Sequence, residues 1–247
     1  MNTKKVSMQI REIYDHLNTL SPFDSQCEWD NSGLILGDYD QKIEQIYLSL
    51  DTDTSLIDAV AENSLIITHH PLIFRGLKKI DYARYPSNLI QKMIQKNIAL
   101  IAMHTNFDKT HLNRFVAHDI LGFNIVSVDE FICYIQVGKM FDALCEDLKK
   151  ALEIEHLRVS GENKYIKTCA ITTGSGGDLI ANVDADCFLS GDFKYHQALA
   201  AKENGLSLID IGHFESERFF GECLAPHLKN LPLKVIMSNS KNPFDYR

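Results

Sequence analysis

The run "LIITHHPLIF" at residues 65–74 passes from a short apolar stretch straight into two adjacent histidines and a proline. The piece "LIIT" has no polar alternation and predicts a short, buried β-strand. Pro71 disfavours the α region for His70, so the chain stays extended or turns there. Alternation in a regular strand would send His69 and His70 to opposite faces. At a strand end the backbone can rotate and let both imidazoles reach one cavity. Neutral imidazole is a common metal ligand. The competing reading is an ordinary polar pair in a loop.

Outward from this strand the chain alternates. "MQIREIYDHLNTLSP" places Ile10, Ile13, Tyr14 and Leu17 at helical spacing, with Pro22 just beyond. "IEQIYLSLD" reads as a strand ending at Asp51, and "DTSLIDAVAENS" as a helix with Asp53 or Thr54 as N-cap. "YPSNLIQKMIQKN" predicts a helix with Ser87 as a candidate cap, and "IALIAMHT" another buried strand. The second half continues with "MFDALCEDLKKALEI" as a helix and "TCAITTGSGGDLIANV" as strand, Gly-rich turn and helix. A strand "ADCFLSGD", a helix "KYHQALAAKENG" closed by Gly205 and a strand "LSLIDIGH" follow. This is an α/β pattern, expected as two α/β lobes, 1–127 and 128–247.

Several of these strands end in polar, metal-capable residues: Asp51, His69 and His70, His104 and Asp108, Asp192, and His213 and Glu217. Ligands of open α/β sheets gather at the carboxyl ends of strands. In "AMHTNFDK", Asp108 is a hard carboxylate ligand able to bridge two cations; the alternative there is an Asx-type turn. In "IDIGHFESER", His213 and Glu217 share one face if a helix starts after Gly212, which would turn Glu215 away. His-His, His-x₃-Asp and His-x₃-Glu at three strand ends point to one shared metal site. Mixed nitrogen and carboxylate ligation suits divalent Zn, Mn or Fe and tells against a thiolate site. Lys194 and His196 follow another strand end and are candidates to meet the anionic part of a substrate, against the alternative of a solvated helix start.

Composition excludes other classes. Apolar content of 45% and charged content of 23% are those of a globular chain, and a net charge of −8 argues against a general nucleic-acid coat. The opening "MNTKKVSMQI" lacks the apolar core of a signal peptide, and no apolar run approaches the ~18 residues of a membrane span. The six cysteines are scattered without a C-x-x-C pair, as free thiols of a cytoplasmic protein would be. H-E-x-x-H, G-x-S-x-G and the Walker pattern are absent.

"WDNSGLILG", "ITHHPLIFRGLKKID", "HTNFD", "SGDFKYHQALAAKENGLSLIDIGHFESE" and the terminal "NPFDY" together resemble the NIF-three-like family, YbgI-type proteins labelled GTP cyclohydrolase I type 2 homologues. The resemblance runs through nearly the whole chain, with Ser190 where a threonine is usual. It implies two similar three-layer α/β lobes with a dinuclear metal site between them, and a homohexameric ring. The family's ligands fall on His69, His70, Asp108, His213 and Glu217, holding two divalent metal ions. His104 belongs to the same motif and is expected to orient a ligand or pass a proton. The implied activity is metal-dependent hydrolysis of a nucleotide-like or phosphoester substrate; the alternative is a non-enzymatic metal-binding scaffold or regulatory partner.

Overall fold

The structure, a computed structural model, describes residues 6–245. Lys4 and Lys5 of the opening segment and Tyr246 of the terminal motif lie outside them. The chain forms two compact units: residues 1–107 with 220–241, and residues 108–219 with 242–247. The division expected at 127/128 was a single cut, whereas the units are discontinuous in sequence. The reason is the tail, whose strand Lys234–Met237 pairs in parallel with Gln45–Ser49 of the first sheet.

The first unit is built on a five-stranded sheet in the order Lys234–Met237, Gln45–Ser49, Ser64–Thr68, Ala99–Ala102, Gly33–Leu36. Its pairs are parallel except the last, where Gly33–Leu36 runs antiparallel to Ala99–Ala102. Ser64–Thr68 is buried at every position, as its unbroken apolar run predicts. Helices Thr54–Ala59 and Ser87–Gln95 bury Leu56, Ile57, Leu89, Ile90 and Met93 against Ile66 and Leu100. Helix Ile10–Leu20 buries the predicted stripe Ile10, Ile13 and Leu17.

Capping was legible at one helix and misread at another. Asp53 caps Thr54–Ala59, its carboxylate accepting from Leu56 N–H at 2.7 Å. Ser87 is the first helical residue rather than the cap, which falls on Pro86. Proline suits a helix start because its missing N–H would have no partner there in any case.

The second unit carries a six-stranded sheet in the order Asn124–Asp129, Ile132–Met140, Tyr165–Ser175, Cys187–Gly191, Ser207–Asp210, Arg158–Ser160. Tyr165–Ser175, Cys187–Gly191 and Ser207–Asp210 are mutually parallel, so they end on one edge. Helix Tyr195–Glu203 places Ala201 in a core with Phe188, Phe193 and Leu208. The Gly-rich turn leads into a short 3₁₀ segment, Gly177–Asn182, rather than the expected α-helix.

Among the described residues no helix is long and apolar enough to cross a membrane. Among the described residues the cysteines form no disulfide. Burial pushes the Cys133 and Cys145 thiols up to about 11. Against the ordinary value of 9.0, each then holds roughly a hundredfold less thiolate near neutral pH. Iodoacetamide at pH 7.5 should accordingly modify both far more slowly than a free cysteine, with the rate still climbing at pH 10. Rapid alkylation of either in the folded protein, read by peptide mass spectrometry, contradicts this.

Candidate functional site

In the first unit, sheet pairing continues past the strand ends and sets the functional residues side by side. His69 N–H donates to Ser49 O (3.2 Å), His70 N–H to Leu50 O (3.0 Å), and Met103 N–H to Thr68 O (2.8 Å). The segments after three neighbouring parallel strands are thereby held in register at one edge, where α/β sheets collect their ligands. His69, His70 and His104 each offer a ring nitrogen, and these three atoms lie within 4.8 Å of one another. His69 is fully buried; the other two are half-buried.

Each ring is oriented from behind. His69 Nδ1–H donates to Met103 O at 2.9 Å. His70 Nδ1 lies 2.7 Å from Asp51 Oδ1, and His104 Nδ1 lies 2.8 Å from Asp30 Oδ1. Carbonyls and carboxylates only accept, so the proton sits on Nδ1 and Nε2 carries the lone pair. This is the arrangement in which outer hydrogen bonds fix a metal-binding imidazole's tautomer and raise its basicity.

Asp30 is the most heavily bonded of these partners, and its side chain is 0% exposed. Besides His104 it accepts from Asn31 N–H (2.7 Å), Ser32 Oγ (3.1 Å), Thr105 N–H (3.1 Å) and Thr105 Oγ1 (2.5 Å). Burial by itself would raise its pKa. The hydrogen bond and charge of His104, with the bonds from Thr105 and Asn31, outweigh burial and hold the carboxyl well below the usual range. It is ionised at any working pH.

The second unit holds the remaining candidates. Helix His213–Glu217 starts directly after Gly212, the condition on which His213 and Glu217 share one face. The i, i+4 spacing brings His213 Nε2 to 3.0 Å from Glu217 Oε2. Asp192, after strand Cys187–Gly191, lies 2.7 Å from His213 Nδ1, so this ring too is oriented by a carboxylate. Glu215 is turned aside as expected and accepts from Asn242 Nδ2 at 2.7 Å.

Asp108 opens a π-wound stretch, Asp108–Leu112, in place of the alternative Asx turn; such turns of helix recur at functional sites. Its Oδ1 lies 3.3 Å from Thr173 Oγ1, which also contacts Asn113 Oδ1 at 2.8 Å. Asp108 and Glu217 are only 8% and 2% exposed. Two carboxylates so withdrawn from water call for compensating cations or donors. Lys194 and His196 stand exposed at the start of helix Tyr195–Glu203, two and four residues beyond Asp192.

Sequence reasoning did not assign a role to Asp30 or Ser216, and read Thr173 and Gly174 only as part of a tight turn or an anion-binding one. Gly174 matters because a Cβ there would fall 2.0 Å from Glu217 Oε1. Its N–H donates to Ser216 Oγ, and its carbonyl accepts from Ser190 Oγ. Ser190 therefore supplies the hydroxyl that this turn uses. The signals that could have found these residues were the Asp in "WDNSG" and the double glycine turn "TTGSGG". Neither announces its partner.

Each unit's donors suit divalent metal ions of borderline or hard character: three Nδ1-anchored imidazoles in the first unit, and a fourth with two buried carboxylates in the second. Known proteins give the wider setting. A Campylobacter jejuni protein named GTP cyclohydrolase 1 type 2 homolog is 59% identical over 240 residues, 97% of this chain and 100% of its own. A Helicobacter pylori protein named GTP cyclohydrolase 1 type 2 is 40% identical, over 95% of this chain and 97% of its own. The crystal structure of Staphylococcus aureus protein SA1388 superimposes with a TM-score of 0.88 at 26% identity, covering 97% of this chain and 99% of that one. The family model described as Duf34/NIF3 (NGG1p interacting factor 3) matches residues 8–243, and the chain belongs to that family.

Proposed function

We propose that His69, His70, Asp108, His213 and Glu217 hold two divalent metal ions, and that the protein is a metal-dependent hydrolase of a nucleotide-like or phosphoester substrate. The observation that carries this reading is the common pose of His69, His70 and His213, each with Nδ1 tied to a carbonyl or carboxylate. A structural histidine needs no such uniform backing, whereas a metal ligand gains affinity from it. The names of the Campylobacter and Helicobacter relatives favour a GTP cyclohydrolase type 2-like substrate.

When bound, such ions supply Lewis acidity at the scissile bond and acidify nearby water. The chain's own contribution lies in holding and moving protons. His104, with its Nδ1 proton directed at ionised Asp30, presents Nε2 as the atom that takes or gives a proton, or adds a further ligand. Lys194 and His196 are proposed to meet the anionic part of the substrate. Assembly as a homohexameric ring belongs to the same reading, and light scattering on the purified protein checks it.

Elemental analysis of wild type beside His69→Ala, Asp108→Ala and Glu217→Ala tests the centre. Wild type should carry about two equivalents of Zn, Mn or Fe, and each variant should bind metal at least ~10–100-fold more weakly. Metal-free wild type, or variants with full metal content, overturns the ligand assignment. A panel of nucleotides and phosphoesters then tests catalysis. Metal-loaded protein that turns over none of them favours the scaffold role instead.

A further inference from the structure

Beside His104 stand two large aromatic rings that the fold leaves in water. Trp29 is 59% exposed and Phe74 43% exposed. Their centroids are 5.7 Å apart, and they lie 5.9 and 6.1 Å from the His104 ring, each roughly edge-on to it. Aromatic side chains of this size carry much of a protein's burial energy, so exposure beside a candidate catalytic histidine needs another use.

The backbone that presents them is rigid. Trp29 sits in a turn closed by Asp30 N–H donating to Cys27 O at 2.9 Å. The turn is pinned at one end by Cys27 N–H to Thr105 Oγ1 (3.0 Å) and at the other by the buried Asp30 carboxylate. Asn31 Nδ2 donates to Ile73 O at 2.5 Å, tying this turn to the residue before Phe74. Two segments more than forty residues apart are thus cross-linked so that both rings face the same imidazole. An aromatic pair whose backbone is fixed and whose rings are exposed is pre-organised for a flat ligand.

We propose that Trp29 and Phe74 form a stacking platform for the nucleobase of the substrate, holding it next to His104. The inference rests on the metal-hydrolase reading of the same residues and names the part of the substrate that this side recognises. Every nucleobase offers a π-face, and each base–aromatic stack typically changes affinity by about tenfold or more when the aromatic is removed.

Trp29 is the chain's single tryptophan, so its fluorescence reports on this platform alone. Guanosine 5′-monophosphate, titrated into the metal-loaded wild type, should quench it saturably; ribose 5-phosphate, which has no ring to stack, should not. Phe74→Ala should weaken the guanosine nucleotide about tenfold by the same readout. Trp29→Ala should do so by equilibrium dialysis, with Trp29→Phe retaining part of the affinity. All variants should keep wild-type metal content and thermal midpoint. Absent quenching, equal quenching by ribose 5-phosphate, or unchanged affinity in Trp29→Ala overturns the platform. Metal content measured on the same samples separates that failure from failure of the metal centre: protein that holds its metal and shows no quenching overturns the platform alone.

Discussion

Asp30→Ala should lower the stability of the protein by roughly 3–5 kcal/mol, the range for removing one member of a buried ionic hydrogen-bonded pair. The carboxylate is fully buried and accepts from five donors contributed by Asn31, Ser32, His104 and Thr105. Alanine leaves those donors facing a void, and buried donors without acceptors are costlier than the bonds themselves were worth. At ~2–4 °C per kcal/mol for a chain of this size, the thermal midpoint should fall by about 10 °C. Asp30→Asn keeps the volume and one acceptor oxygen and should fall between the two. His104 would also lose its orienting partner, so metal-loaded Asp30→Ala should lose activity beyond what its folded fraction explains. A midpoint within about 1 °C of wild type would mean that the Asp30 network contributes little.

Gly174→Ala should damage both the stability and the metal binding of the second unit. Gly174 has a φ of +64, where any Cβ is strained, and its Cβ would sit 2.0 Å from Glu217 Oε1 and 3.6 Å from His213 Nε2. Glu217 is buried and cannot swing into solvent, so the added methyl must push it or the strand aside. Gly205 supplies the control: its φ is +77, yet nothing lies within 4 Å of a Cβ there. Gly205→Ala should cost only the left-handed strain, about 1–2 kcal/mol, and leave metal binding intact. Gly174→Ala should cost more than that and reduce metal affinity by at least ~10-fold through the displaced carboxylate. Equal stability loss in the two variants, with equal metal content, would mean that Glu217 has room to move.

The fold class was legible because it follows from local rules. "LIIT" and "ALIA" are unbroken apolar runs and became strands buried at every position. Ile10, Ile13 and Leu17 repeat at helical spacing and fill the inner face of their helix. The helix that begins at His213 was one of two open readings, and once it forms, the His-x₃-Glu spacing puts i and i+4 on one face. Less legible were the Gly177–Asn182 segment and the return of the tail to the first sheet, since neither is set by nearby residues.

What the sequence by itself determined was therefore the kind of element at each position and the chemistry placed at the strand ends. Residue type and periodicity act over a few residues, so they survive without knowledge of the rest. Only the tertiary structure decided which nitrogen each histidine presents. The orienting carboxylates stand 19 residues from His70, 74 from His104 and 21 from His213, and nothing in those separations names the partner. A hydrogen bond selects its acceptor by proximity in space, within about 3 Å, and that proximity exists only after the sheets have formed.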